Sequence, residues 1–456
     1  DETLTLDAHT GTGSAISVGP IGAAGASQIA GINMTAGGGI TLNGNIETSN
    51  AGTGIDFNSP VIIADNTSIT ITTDAGGTDG AVVFDSTISG TGANATQLGN
   101  AENLTIDSGK GNVSIASVGV SANTALNNLT INSGTGDAGS ATDMDGDITI
   151  SGNIGASSGG SVTVEGVTGT LTLGNAETAA LTLGGTVYNT NTATYTSASG
   201  GDKIKLTGQD PVFTASDAAI TFAGGNVLID TSGSASSPST LTVNNSGSGI
   251  TFAAINGTDA DIIVLNAGTD SDGTAAKVTV GAITAGTPEI KSITITGNDG
   301  VTLNGSISTS DDSGAAVSIT GPITLGGDIT IDTNVATNDG SITLGSVDST
   351  DNGQALTVDS GAGNVSIGVI GGTAQLDGLT INTAGAAGDD GDITLAGIGD
   401  GSPTYGVVGT VDVGNSRTDL LKFTGTSYDI DTGTATFEAK AGAGTIEIDS
   451  SSAVEF

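Results

Sequence analysis

The chain repeats itself at long range, and this repetition limits the folds that it can adopt. Residues 103–115 read NLTIDSGKGNVSI, and residues 355–367 read ALTVDSGAGNVSI. Other segments match in the same order, with an offset that shrinks along the chain, as loops between strands of fixed length would allow. The sequence therefore predicts two copies of one repeat array, residues 1–258 and residues 259–456, the second ending mid-copy. The further matches pair 40–44 with 301–305, 128–132 with 378–382, 145–149 with 390–394, and 185–188 with 425–428.

Apolar residues occur in short groups in which they alternate with threonine or serine. Ile69-Thr70-Ile71, Leu171-Thr172-Leu173 and Ile293-Thr294-Ile295 are typical. A period of two is the pattern of a strand with one face buried, and Val, Ile and Thr suit such a surface. No stretch shows a helical period, and the 76 glycines would be costly inside helices. The sequence predicts an all-β chain.

The predicted strands are short, and aromatic residues make up only 3% of the chain, so a thick core is excluded. In a parallel β-helix each strand pairs with the strand one coil below, and a narrow column of Ile, Val and Leu becomes a continuous core. Corner signals follow equivalent strands, as in Asp107-Ser108-Gly109 and Asp359-Ser360-Gly361. No linker composition occurs near residue 258. We therefore expect a β-solenoid that forms one continuous rod.

The charge of the chain limits its partners. Forty-eight acidic residues against eight basic ones give a net charge of −40, which argues against nucleic acid and anionic membranes. No apolar run reaches the roughly 18 residues that a membrane helix needs, so no membrane insertion is expected. The chain has no cysteine, so strand ladders and core packing must supply its stability.

Three acidic turns raise the question of calcium, and the third of them contains Asp270, Asp272 and Gly273. Hard cations bind clustered carboxylate and carbonyl oxygens, but the EF-hand pattern and the calcium-binding nonapeptide of β-rolls are absent. Calcium is therefore one hypothesis and solvated turn aspartates are the other, and no cofactor is expected to be required. The candidate ligands are Asp143, Asp145 and Asp147 in the first copy, and Asp389, Asp390 and Asp392 in the second.

Aromatic residues occupy related places in the two copies. These are Tyr188, Tyr195, Tyr428 and Phe437. Aromatic rings on the flank of a solenoid can stack on sugar rings, or they can seal a loop against the core. We expect the packing role.

The segments LTVDSGAGNVSIG, at residues 356–368, and LTLGGTVYNTNTATYTSASGGDKIKLTG, at residues 181–208, together with strand openings of the type GDITL, resemble filamentous-haemagglutinin-like bacterial surface proteins. The resemblance implies a right-handed parallel β-helix, an extracellular or cell-surface location, and a non-catalytic role as an adhesin or fibre.

These observations favour a structural protein, a rigid acidic rod that serves as a surface fibre or adhesive stalk. An open solenoid end is an unpaired strand edge, so we expect head-to-tail assembly of the chain with itself. Glycans or ligands on a host or cell surface are further candidate partners.

Three alternatives remain open at this point. A β-helix polysaccharide lyase or hydrolase needs paired carboxylates or a carboxylate beside a base, and the eight bases are scattered. A carbohydrate-binding adhesin would use exposed aromatic rings. Ice binding is suggested by pairs such as Thr70 and Thr72, but it requires a regular spacing of coils, and the spacing of strands in the sequence wanders.

Overall fold

In the computed structural model, every regular element of the described residues is a β-strand, and this part of the chain contains no helix. The prediction of an all-β chain is confirmed. The described residues are 2–9, 11, 13–22, 29–48, 53–73, 79–91, 102–121, 123–132, 144–157, 163–216, 218–230, 238–258, 261–269, 275–285, 290–309, 316–334, 339–382, 390–400, 405–431, 433–442 and 444–450.

The chain divides into two compact units, Asp1–Ser232 and Gly233–Phe456. The boundary predicted between residues 258 and 259 concerns the two sequence copies, and it stays a prediction. The strands of the first unit are β1 Glu2–Ala8, β2 Ile16–Val18, β3 Ile29–Ala36, β4 Ile40–Leu42, β5 Ile46–Glu47, β6 Ile55–Phe57, β7 Val61–Ile63, β8 Ser68–Thr72, β9 Val82–Gly90, β10 Asn103–Asp107, β11 Val113–Val118, β12 Asn128–Ile131, β13 Ile148–Ile150, β14 Ala156–Ser157, β15 Thr163–Val164, β16 Val167–Leu173, β17 Leu181–Leu183, β18 Val187–Thr196, β19 Asp202–Leu206, β20 Val212–Ala215, β21 Ile220–Ala223 and β22 Asn226–Ile229.

The second unit has the same kind of short strand. Its strands are β23 Thr240–Asn245, β24 Ile250–Gly257, β25 Asp261–Ala267, β26 Val278–Ala285, β27 Ile290–Gly297, β28 Val301–Leu303, β29 Ile307–Ser308, β30 Ala316–Thr320, β31 Ile323–Leu325, β32 Ile329–Asp332, β33 Ile342–Leu344, β34 Val347–Ser349, β35 Ala355–Asp359, β36 Val365–Ile370, β37 Gly378–Ile381, β38 Ile393–Ile398, β39 Val411–Val413, β40 Leu420–Phe423, β41 Ala435–Phe437 and β42 Thr445–Ile448.

Parallel pairing between successive coils builds the first unit. One stack of paired strands runs β1, β3, β6, β9, β11, β13, β17, β19 and β22. A second stack runs β5, β8, β10, β12, β16, β18 and β21. A third contains β2, β4, β7 and the last residues of β9. Among the described strands only β14 and β15 pair in the antiparallel sense.

The second unit is built in the same way. One stack runs β23, β25, β27, β30, β33, β36, β38, β40 and β42. Another runs β29, β32, β35, β37, β39 and β41, and a third runs β24, β26, β28, β31 and β34. Parallel strands that stack coil upon coil confirm the predicted β-solenoid.

The core of each unit is a column of aliphatic side chains. In the three-residue strands β13 and β17 the first and third residues are fully buried, and the central threonines are half-buried. The buried residues are Ile148, Ile150, Leu181 and Leu183. The strands align residue by residue, so each buried side chain lies on its counterpart one coil away. Full burial of such a side chain stabilises the fold by roughly 1.5–3 kcal/mol, and this repeated column replaces a thick core.

The matched sequence segments fold into matched corners. The Ser108 N–H donates to Oδ1 of Asn132 at 2.9 Å, and the Ser360 N–H donates to Oδ1 of Asn382 at 2.8 Å. Both asparagines have a positive φ, 45° for Asn132 and 47° for Asn382, which asparagine tolerates better than most residues. The two copies therefore share their turn geometry as well as their strands.

Candidate functional sites

The acidic turn of the first copy is held by an asparagine from the next coil. Asp145 is 6% exposed, and its Oδ2 accepts a hydrogen bond from Nδ2 of Asn175 at 2.8 Å. Asn175 opens a tight turn, because its Oδ1 accepts the N–H groups of Glu177 and Thr178, at 2.7 and 3.1 Å. Asp147 is exposed. Asp145 is therefore part of the folded corner, whereas Asp147 faces solvent.

The second copy repeats this corner with one change of charge. Asp390 is also 6% exposed and accepts a hydrogen bond from Nδ2 of Asn415. Its Oδ1 lies 3.6 Å from Nη2 of Arg417, which occupies the place that Glu177 takes in the first copy. The two copies thus have opposite charges at equivalent sequence positions, Glu177 and Arg417. Arg417 neutralises Asp390 within the chain.

The calcium hypothesis stays a prediction. Asp143 and Asp389 lie outside the described residues, so the full predicted ligand sets are not seen. Within the described residues, no three His, Asp or Glu side chains form a group that could hold a metal ion. Asp147 and Asp392 are alike in their backbone contacts. Each donates its backbone N–H to the side-chain Oδ1 of an asparagine one coil away.

Two pairs of carboxylates that the sequence reading missed lie elsewhere on the coils. Asp332 and Asp359 are adjacent in register on β32 and β35. Burial raises the pKa of Asp332, and the charges of Asp359 and Asp339 add to this rise. Burial also raises the pKa of Asp56, and the charge of Asp85 adds to it. The signal in the sequence was an aspartate at the same position of two strands, as in ITID and LTVD.

The aromatic residues of the first copy pack in the core. Tyr188 and Tyr195 are each 1% exposed. The Tyr188 ring stacks on Phe213 with centroids 4.5 Å apart, and the Tyr195 ring stacks on Phe222 at 4.7 Å. Burial raises the pKa of both tyrosine hydroxyls. The packing role is confirmed for these two tyrosines, and their rings are not available to stack on sugars.

In the second copy, Tyr428 is buried and packs edge-to-face on Phe423, with centroids 4.9 Å apart. Its hydroxyl accepts the Gly425 N–H at 3.0 Å and donates to the Leu395 carbonyl at 3.2 Å. Phe437 is half-buried and meets Phe423 at 5.1 Å. The packing role is confirmed for Tyr428 as well.

Strand β42 presents an apolar edge. Its only partner among the described strands is β40, and the register places Ile446 beside Leu421 and Ile448 beside Phe423. Leu421 and Phe423 are buried, but Ile446 and Ile448 are 51% and 54% exposed. These two isoleucines continue the aliphatic column of the core and remain uncovered. They form the most exposed apolar pair in the described part of the second unit.

Strand β1 presents a similar edge in the first unit. Its partner is β3, and Leu4 and Leu6 lie beside Ile32 and Met34. Ile32 and Met34 are buried, whereas Leu4 and Leu6 are half-buried.

No helix in the described residues is long and apolar enough to cross a membrane. Comparisons of the chain with protein families, curated protein sequences and solved structures found no match. The resemblance to filamentous-haemagglutinin-like proteins therefore stays a prediction.

Proposed function

We propose that the chain is a non-catalytic, extracellular structural protein, an acidic β-solenoid that forms a surface fibre or adhesive stalk by head-to-tail stacking of its exposed end coils. The observation that carries the proposal is the exposed pair Ile446 and Ile448 on β42, in register with the buried Leu421 and Phe423.

An edge strand of this kind favours addition of another strand. Among the described strands β42 pairs only with β40, so the N–H and C=O groups on its other side are a template for main-chain hydrogen bonds, and its exposed side chains supply apolar area. Covering two half-exposed isoleucines stabilises a contact by roughly 1.5–3 kcal/mol in total. A second copy of the chain offers the matching surface, because the β1 edge carries Leu4 and Leu6 in the same alternating pattern.

The charge of the chain sets the conditions for stacking. A net charge of −40 makes two copies repel each other at low ionic strength. Salt screens this repulsion over about 10 Å at 0.1 M, and divalent cations relieve it further. Assembly should therefore strengthen with salt and with calcium or magnesium, whether or not a specific cation site exists.

The surface location and the adhesive role rest on the sequence. A solenoid without cysteine, with a strongly acidic surface and with repeats that resemble those of bacterial adhesins fits a fibre or stalk. Such a stalk would bind glycans or ligands on another cell surface.

The test is the assembly state of the 456-residue chain. Sedimentation velocity across a concentration series, at low and high salt, should show linear oligomers, and electron micrographs should show filaments. Ile446→Lys and Ile448→Lys should abolish assembly. Met144→Lys is the matched control, because Met144 is 38% exposed and does not belong to a strand. A parent chain that stays monomeric at high concentration and high salt would refute the proposal.

A further inference from the structure

Six threonines form an unbroken ladder on one outer face of the first unit. They lie on β8, β10, β12, β16, β18 and β21, and each is in register with the next. Neighbouring strands in such a stack are about 4.8 Å apart, so the ladder has a fixed repeat. The members are Thr70, Thr105, Thr130, Thr172, Thr194 and Thr221.

The regularity of the ladder is hidden in the sequence. The numbering shows that the connection from Thr130 to Thr172 is much longer than the connection from Thr172 to Thr194. The strand register nevertheless pairs Thr130 with Thr172 and Thr172 with Thr194, because the connecting segments absorb the difference in length. The objection that the strand spacing wanders therefore does not apply to this face.

The hydroxyls of the ladder are available to an external partner. All six threonines are half-buried, and none of their hydroxyls hydrogen-bonds to another residue of the described structure. A hydroxyl can both donate and accept, so each offers unused capacity at a fixed place. The residues two positions earlier are also neutral, namely Ser68, Asn103, Asn128, Thr170, Thr192 and Ala219.

The face is nearly free of charge on a chain of net charge −40. Asp107 is the one charged residue on these six strands. No aromatic side chain stands outward among them to stack on a sugar, because Tyr188, Tyr195 and Phe222 are buried. A neutral and periodic row of hydroxyls fits a periodic partner made of hydrogen-bonding groups.

We propose that this threonine face binds ice. At an ice surface every water both donates and accepts hydrogen bonds in a lattice, and a rigid row of hydroxyls can take the place of lattice waters. Water that bridges polar groups retains nearly the enthalpy of a direct hydrogen bond, so adsorption does not require the hydroxyls to lose their hydration. The inference is independent of end-to-end stacking, because it concerns a lateral face.

The second unit supplies an internal contrast. Its equivalent ladder passes through Thr330, Thr357 and Thr380, then reaches Asp412 before Thr436. Asp412 corresponds to Thr172 of the first unit. An aspartate at this place is therefore compatible with the fold, but it puts a charge in the middle of the ladder.

The experiment measures thermal hysteresis and partition of the 456-residue chain into a slowly growing ice front. Thr172→Asp places the aspartate of the second unit into the ladder. Thr182→Asp is the matched control, because Leu171-Thr172-Leu173 and Leu181-Thr182-Leu183 have the same sequence and the same burial but lie in different stacks. Circular dichroism and melting confirm that both variants fold.

The parent chain and Thr182→Asp should adsorb to ice and depress its growth temperature, whereas Thr172→Asp should lose most of both effects. A folded parent that is excluded from ice overturns the inference. Equal behaviour of the two variants overturns the assignment to this face.

Discussion

Replacing Phe213 by alanine should remove a large part of the stability of the first unit. Phe213 is 1% exposed and stacks on Tyr188 with centroids 4.5 Å apart and an interplanar angle of 9°. Its edge also meets the rings of Tyr195 at 5.5 Å and Phe222 at 5.2 Å. The substitution therefore removes a ring that contacts all three others of this cluster.

The expected loss is about 3–5 kcal/mol, the range for a buried Phe→Ala change. Aromatic pairs add about 0.5–1.5 kcal/mol each beyond their buried area, although contributions of residues in contact do not simply sum. The upper half of the range applies, because ladder hydrogen bonds hold each coil at a fixed distance from its neighbours and the cavity cannot collapse. Phe213→Leu keeps much of the volume and should cost about 1–2 kcal/mol.

Hydrogen exchange is the appropriate measurement, since stacked repeats can open locally and a single two-state free energy is not assured. Protection should fall in β18, β20 and β21 and should persist in β36 and β38. Denaturant unfolding of both variants gives the size of the loss. A loss below about 1 kcal/mol for Phe213→Ala would refute the claim that tightly packed rings stabilise these coils.

Two further predictions concern charge. Arg417→Glu should break the ion pair with Asp390 and lower the free energy of unfolding by about 0.5–1 kcal/mol, a loss that high salt reduces; no loss at low salt would contradict it. Asp332→Asn should stabilise the chain at neutral pH by less than about 1 kcal/mol after solvent screening, because burial raises the pKa of Asp332 in the folded state. This gain should shrink as the pH falls through the folded pKa and vanish below the ordinary value of 3.8, so urea unfolding from pH 3 to 7 checks the sign.

The period-two pattern was sufficient to predict the strands and the solenoid. Groups such as Leu171-Thr172-Leu173 fix which residues point inward, and short strands with few aromatic residues leave coil-upon-coil stacking as the way to bury them. The repeated Asp-Ser-Gly corners were also predictable, because Ser108 and Ser360 form the same hydrogen bonds. Local sequence therefore determined most of the fold.

The contacts between coils could not be predicted in the same way. Which residues become neighbours depends on how much chain each loop takes up, and this varies from coil to coil. The pairing of Asp332 with Asp359, the bond from Asn415 to Asp390 and the threonine ladder all follow from register. The exposure of Ile446 is likewise a property of its place on an edge strand, since its sequence is that of a core residue.

Comparison of the two copies separates what stabilises the coil from what its surface can do. The inward positions stay apolar, since Leu171 and Leu173 correspond to Val411 and Val413 and all four are buried. Between them, the outward threonine of one copy is the outward Asp412 of the other. A change at such a position leaves the stacked core intact, because the side chain contributes little to it. The surface of each copy can therefore acquire its own charge and binding properties on the same scaffold, and substitutions exchanged between the copies are the most direct way to assign those properties.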